Sequence, residues 1–186
     1  MSRRLLSPAH IAGYVAVLLT GAIFGFFYAW VVSTMWGLDA ADPRVAVEAM
    51  REMNASVRNA AFFPAFFLTP AALAVAGLLA RRAGRRPASA LFLIAGAVYL
   101  VGGLLVTAIV NVPLNDELAR GDVPASPAAA GAVWEAYSGR WQAWNLVRTV
   151  ASGIALLLAT VAVAASGVPR DSQGPASAAR SGSLAV

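Results

Sequence analysis

Of the 186 residues, 59% are apolar and only 12% are charged, where an ordinary soluble domain is about half apolar and about a quarter charged; the mean hydropathy is +0.68. That balance excludes a typical water-soluble domain and leaves one membrane domain, provided the apolar residues fall in long blocks. With no Cys and a single His, disulfides, thiolate chemistry and a conventional His- or Cys-rich zinc, copper or haem site are excluded too.

The blocks are there. Ile11–Leu38, Ala60–Ala80, Pro87–Asn115 and Thr149–Pro169 carry no charge, and each holds the roughly 20 residues that cross about 30 Å of hydrocarbon. They predict an all-α, four-transmembrane-helix bundle over 1–168, with helices at about 8–38, 60–80, 88–112 and 140–168 and helical extensions on the outer side. Arg3 and Arg4 precede the first block, and Arg81, Arg82, Arg85 and Arg86 separate the second from the third. The other two connections each carry four acids, Asp39, Asp42, Glu48 and Glu52, then Asp116, Glu117, Asp122 and Glu135. The positive-inside rule then predicts a multi-pass cell-membrane protein with cytoplasmic N- and C-termini. The net charge of +5 is a topology signal, not a nucleic-acid footprint.

In chain order, the first helix has too long an apolar run for a signal peptide, and no small-x-small site follows Trp36, so it is expected to be retained. Gly21 and Gly25 form a small-xxx-small pair suited to a close helix contact. His10 sits near its inner end as an interfacial residue. Asp42-Pro43 predicts an N-cap and first turn. Ala46, Met50, Met53 and Val57 then share one face, giving a short amphipathic helix resting at the interface. Asn54 and Asn59 read as caps. Pro64 and Pro70 are expected to kink the second helix, with neighbouring helices satisfying the freed carbonyls. The third helix is expected to end near Asn111 and Pro113. Ser126-Pro127 predicts the start of a fourth helix extending several turns beyond the membrane. From Pro169 the composition is Ser-, Ala-, Gly- and Arg-rich, which predicts a disordered cytoplasmic tail over 169–186. There is no G-x-G-x-x-G and no phosphate-binding loop.

Reactive groups gather at the outer ends of the third and fourth helices. Trp134, Tyr137, Trp141, Trp144, Asn145 and Arg148 are spaced by three, four or seven, which puts them on one side of a helix. Arg148 lies about one turn inside the apolar block and needs a partner there. Asn111 and Asn115 arrive at the same level, with Asp116 or Glu117 as a counter-ion. Trp30, Trp36 and Trp134 suit an aromatic interface belt. The Trp141, Trp144, Asn145, Arg148 set reads equally as a ligand site or as a tie between helices.

Asn111-x-Pro113-Leu114-Asn115 closing the third helix, followed by Trp141-x-x-Trp144-Asn145-x-x-Arg148 opening the fourth, resembles the anthrone oxygenase-like family of small four-helix membrane proteins. The stretch from Glu48 to Asn54 and the Phe-rich run Ala60–Phe67 are similar as well. The resemblance extends to about Gly167, except for Asp116–Ala132. It implies oxidation of anthrones to anthraquinones without a classical cofactor, as in characterised fungal relatives, whereas most members have no known function. On that reading Arg148, Asn111, Asn115 and Asn145 are catalytic, and Tyr137, Trp141 and Trp144 hold an aromatic small molecule. The alternative is a non-catalytic membrane protein that binds a small apolar molecule or serves as an accessory subunit. In either case the partner expected from composition is membrane lipid.

The predicted orientation is testable. A Cys introduced at Ala83 should resist an impermeant maleimide in intact cells, while one at Ala125 should react; the reverse pattern inverts the topology.

Overall fold

The computed structural model describes residues 7–167; Arg3, Arg4 and the tail expected over 169–186 lie outside the described residues. Within them the chain is all-α. It forms α1 (Pro8–Asp39) and α4 (Arg86–Leu118), α2 (Pro43–Ser56), α3 (Phe62–Arg82) and α5 (Pro127–Gly167). All except α2 are long and apolar enough to cross a membrane. The four pack in a ring, each against its neighbours in sequence, with α1 closing on α5.

Short polar side chains start these helices. Ser7 precedes Pro8 and accepts from the His10 amide, and Ser126 Oγ accepts from Ala129 N at 3.1 Å. Asn59 Oδ1 accepts from Ala61 N and Phe62 N, both at 2.9 Å, and so caps α3. Asp42 accepts from the side chain and backbone of Arg44, which hold its carboxyl down at about 2. At the opposite end of α3, Gly84 at φ 75° reverses the chain. There Arg85 N reaches Ala80 O at 2.8 Å, satisfying a last-turn carbonyl.

The core has two characters. At the arginine-rich end it is built largely of alanine, with Ala16, Ala76, Ala80, Ala155, Ala159 and Ala162 buried around Phe92 and Leu73. Small residues let apolar helices approach closely, which supplies the packing that drives association in lipid. At the other end, called here the α2 end, the core is aromatic and Met-rich: Trp30, Met35, Met50, Trp134, Tyr137 and Trp141.

Several expectations need correction. Gly21 and Gly25 are not a close contact: a Cβ on Gly25 meets nothing within 4 Å, whereas one on Gly102 falls 2.5 Å from Ala151 Cβ. The tight crossing is therefore between α4 and α5. α2 does not merely rest at an interface. Ala46, Val47 and Met50 are fully buried against Leu114, Leu118 and Trp134, so α2 covers one end of the bundle. Arg51, on the flank of α2, donates to the carbonyls of Leu118, Arg120 and Gly121 and closes the end of α4. The third membrane helix also continues past Asn111 and Pro113 to Leu118. Just before Pro113, Val112 N–H reaches back five residues to Thr107 O. This π-helical turn has already shifted the hydrogen-bond pattern where proline lacks a donor.

Pro64 lies in the first turn of α3, where its missing N–H leaves no bond unmade. Pro70 lies inside the helix and frees the carbonyl four residues back, that of Phe66. The Tyr99 hydroxyl on α4, fully buried, donates to that oxygen at 2.9 Å. Tyr99→Phe should destabilise the bundle by roughly 0.5–2 kcal/mol, read from thermal unfolding in detergent. Adding Pro70→Ala should recover most of the loss, because the restored N–H takes over the same carbonyl. If Tyr99→Phe unfolds like the wild type, this pairing is not a stabilising element.

Candidate functional site

α5 presents Trp134, Tyr137, Trp141, Asn145 and Arg148 along one stripe, and all five are buried. Trp144 does not join them. Tyr137, at a similar angle on the helix, is covered by α2 and by Asn115, while Trp144, two turns further on, is 42% exposed. Trp30 and Trp134, expected in an interface belt, are also buried; only Trp36, 65% exposed, stands free at the helix end.

Arg148 is 5% exposed. One terminal nitrogen donates to Asn145 Oδ1 at 2.8 Å, and the other to Thr107 Oγ1 at 3.3 Å. Its guanidinium carbon stands 4.6 Å from the centre of the Phe27 ring and 5.1 Å from that of Trp141. Two aromatic faces thus stabilise the cation by their ring quadrupoles where water does not. Asn145 fixes this arrangement, because its amide nitrogen donates to Phe27 O on α1 at 3.2 Å while its oxygen accepts from Arg148.

The partners expected for Arg148 are engaged elsewhere. Asn111 donates to Trp141 O at 3.3 Å, and Asn115 accepts from the Tyr137 hydroxyl at 2.8 Å. Asp116 pairs with Arg58 at 3.2 Å on the surface. Glu117 lines a cavity of about 280 Å³ beside Arg51, Tyr137 and Arg140. Among the described residues the ion pairs are Arg44–Asp42 and Arg58–Asp116, so no carboxylate neutralises Arg148. The reason lies in register: the π-helical turns over Leu100–Leu105 and Thr107–Asn111 bring Thr107 to the guanidinium and turn the Asn111 amide toward the α5 backbone.

Four buried polar atoms at this end have no hydrogen-bond partner: Arg148 Nε, Trp141 Nε1, Asn54 Nδ2 and Asn111 Oδ1. Asn54, read from sequence as a cap, lies instead beside Tyr137. Ser89 Oγ, at the arginine-rich end, is the remaining such atom among the described residues. Unsatisfied buried polar groups are costly and uncommon. One of the four belongs to the Arg148 guanidinium itself, so this end of the bundle holds three unused donors and one unused acceptor. Among the described residues, no three His, Asp or Glu side chains are grouped as a metal site requires. His10 belongs to the first turn of α1, where its Nδ1 lies 2.8 Å from Ser7 Oγ.

A further contact was not expected from the sequence. Asp39, at the end of α1, accepts from Trp134 Nε1 at 2.9 Å, Ser138 Oγ at 2.7 Å and Gln142 Nε2 at 2.9 Å. This carboxylate latches α1 to α5 and fixes Trp30 against Trp141, with ring centres 5.1 Å apart. The donors' four-residue spacing at 134, 138 and 142 was the available signal.

No curated protein and no solved structure matches the chain. The pattern of the anthrone oxygenase family matches residues 53–158, which take in Asn54, all of α3 and α4, and α5 as far as Leu158, Arg148 included. That span is more than half of the 186 residues, and the chain belongs to the anthrone oxygenase family.

Proposed function

We propose that this protein is a membrane oxygenase acting without a cofactor on planar aromatic ketones and phenols of the anthrone or hydroquinone kind. The observation that carries the reading is the Arg148 guanidinium, buried against two aromatic rings with no carboxylate and one N–H free. Such a cation, already desolvated and held in place, stabilises an oxyanion far better than one in water. Family membership supports the same reading.

In this proposal the substrate carbonyl lies near Arg148 Nε and Trp141 Nε1. For an anthrone, loss of a proton from the ring methylene to water leaves an enolate whose oxygen the guanidinium stabilises. The enolate carbon gives one electron to dioxygen, and the radical pair combines to form a C–O bond. Proton uptake yields a hydroperoxide on that carbon. Removing its second hydrogen while the O–O bond breaks makes the new carbonyl and expels hydroxide, which is protonated to water. One dioxygen is consumed for each quinone and each water formed. Asn145 and Thr107 orient the guanidinium, and Asn111, through its unpartnered oxygen, accepts from a phenolic hydroxyl. Asn115 positions Tyr137. Trp144, on the outer surface, is left without a role in binding. The protein sits in the cell membrane with its α2 end away from the cytoplasm and takes its substrate from the surrounding lipid.

The competing reading is a structural tie, favoured by the hydrogen bonds with which Arg148 and Asn145 join α1, α4 and α5. Arg148→Gln separates the two. As an oxyanion stabiliser, Arg148 should cost roughly 100-fold or more in anthrone oxidation when replaced, with a modest change in melting temperature. Quinone absorbance and oxygen uptake by the purified protein give the rate. A variant that melts many degrees lower yet turns over normally once folded makes Arg148 a tie and removes the catalytic assignment.

A further inference from the structure

A cleft of about 590 Å³ opens between α1 and the start of α3 beneath the end of α2. That size is within the roughly 300–1,000 Å³ of small-molecule sites. Its walls are largely apolar, with Ala22, Ala61 and Ala65 leaving room between Phe26, Trp30 and Phe62. Ser56 and Asn59 stand at its rim. The rings form one continuous surface: Phe26 lies 4.9 Å from Phe62 and 6.2 Å from Trp30, centre to centre. Trp30 also packs on Trp141, whose other neighbour is the Arg148 guanidinium. Two packed indoles, Trp30 on the cleft side and Trp141 on the arginine side, therefore stand between the cleft and the guanidinium. A π-helical turn begins at that residue, Trp30–Thr34, a distortion of a kind frequent at functional sites.

We infer that this cleft is the binding site that takes a planar, lipid-soluble aromatic molecule from the membrane, next to the indole pair that covers the Arg148 guanidinium. The inference rests on the oxygenase reading for what happens at Arg148, but not for what binds in the cleft. Flat aromatic ligands match a surface of three adjoining rings, where offset and edge-to-face contacts add to simple burial. An acyl chain gains only the burial. The uncharged walls suit a neutral ring system. The second large apolar groove, lined by Val101, Gly102, Val147 and Ala151 between α4 and α5, contains no aromatic residue. It serves as the internal control.

The test is binding of anthrone, under argon so that no turnover occurs, to the full-length protein in phosphatidylcholine nanodiscs. Ala22→Trp and Ala61→Trp each place an indole in the cleft from a position exposed in the fold, so that folding survives in at least one. Both should weaken anthrone binding by about tenfold or more, whereas Ala97→Trp in the control groove should leave it unchanged. Arg148→Gln should bind within about threefold of wild type while losing oxygen uptake. Stearic acid should not displace anthrone at matched concentration. Wild-type binding in both Trp-filled variants, equal displacement by stearic acid, or loss of anthrone binding in Arg148→Gln would each overturn the cleft assignment. The oxygenase reading fails separately: a wild type that binds anthrone in the cleft but consumes no oxygen keeps the site and rejects the chemistry.

Discussion

Everything at the α2 end of this molecule depends on keeping one arginine cation inside an apolar bundle without a carboxylate. Removing a cation from water is expensive, by several kcal/mol even after relaxation. Here two ring faces, one amide oxygen and one hydroxyl supply the compensation. Each comes from a different place. Phe27 is on α1, Thr107 on α4, and Trp141 and Asn145 on α5, so three helices together enclose the cation. The Asp39 latch and the α2 cover follow from the same requirement, since both keep α1 and α5 from separating over the guanidinium.

This division explains why the bundle has two kinds of core. The alanine-rich half packs closely and supplies rigidity, because its buried side chains are small. Aromatic residues cannot pack so closely, and the α2 half accordingly contains two cavities with polar residues in their walls, the π-helical turns at Trp30–Thr34 and Thr107–Asn111, and four of the unpartnered buried polar atoms. Rigid packing at one end allows irregular packing at the other. Function in a membrane bundle belongs at the irregular end, where non-helical hydrogen bonding is tolerated because it is enclosed by protein.

Much of this was legible in the sequence because lipid imposes simple rules. Long uncharged blocks set the helices, and the Pro70 vacancy called for a donor from a neighbour, which Tyr99 provides. Trp141, Asn145 and Arg148 shared a face by spacing alone. What could not be read was register. Helical angle places Trp144 near Tyr137, but only the tertiary cover decides which is buried. Regular α-helical spacing brings Asn111 and Asn115 level with Arg148, but the π-helical turns give that place to Thr107. π-helical turns leave no periodic trace, and the four-residue spacing of Trp134, Ser138 and Gln142 does not name the carboxylate they meet ninety-odd residues away, Asp39.

The central claim is that the enclosed guanidinium stabilises an oxyanion, and it can be measured without turnover. The phenol 2-naphthol absorbs at longer wavelength when ionised, so its titration can be followed while it is bound to the purified protein. Bound 2-naphthol should ionise at least about one pH unit below the free compound, as a nearby cation requires, and the shift should disappear in Arg148→Gln. A bound phenol that titrates like the free one, or an equal shift in the variant, would contradict that claim.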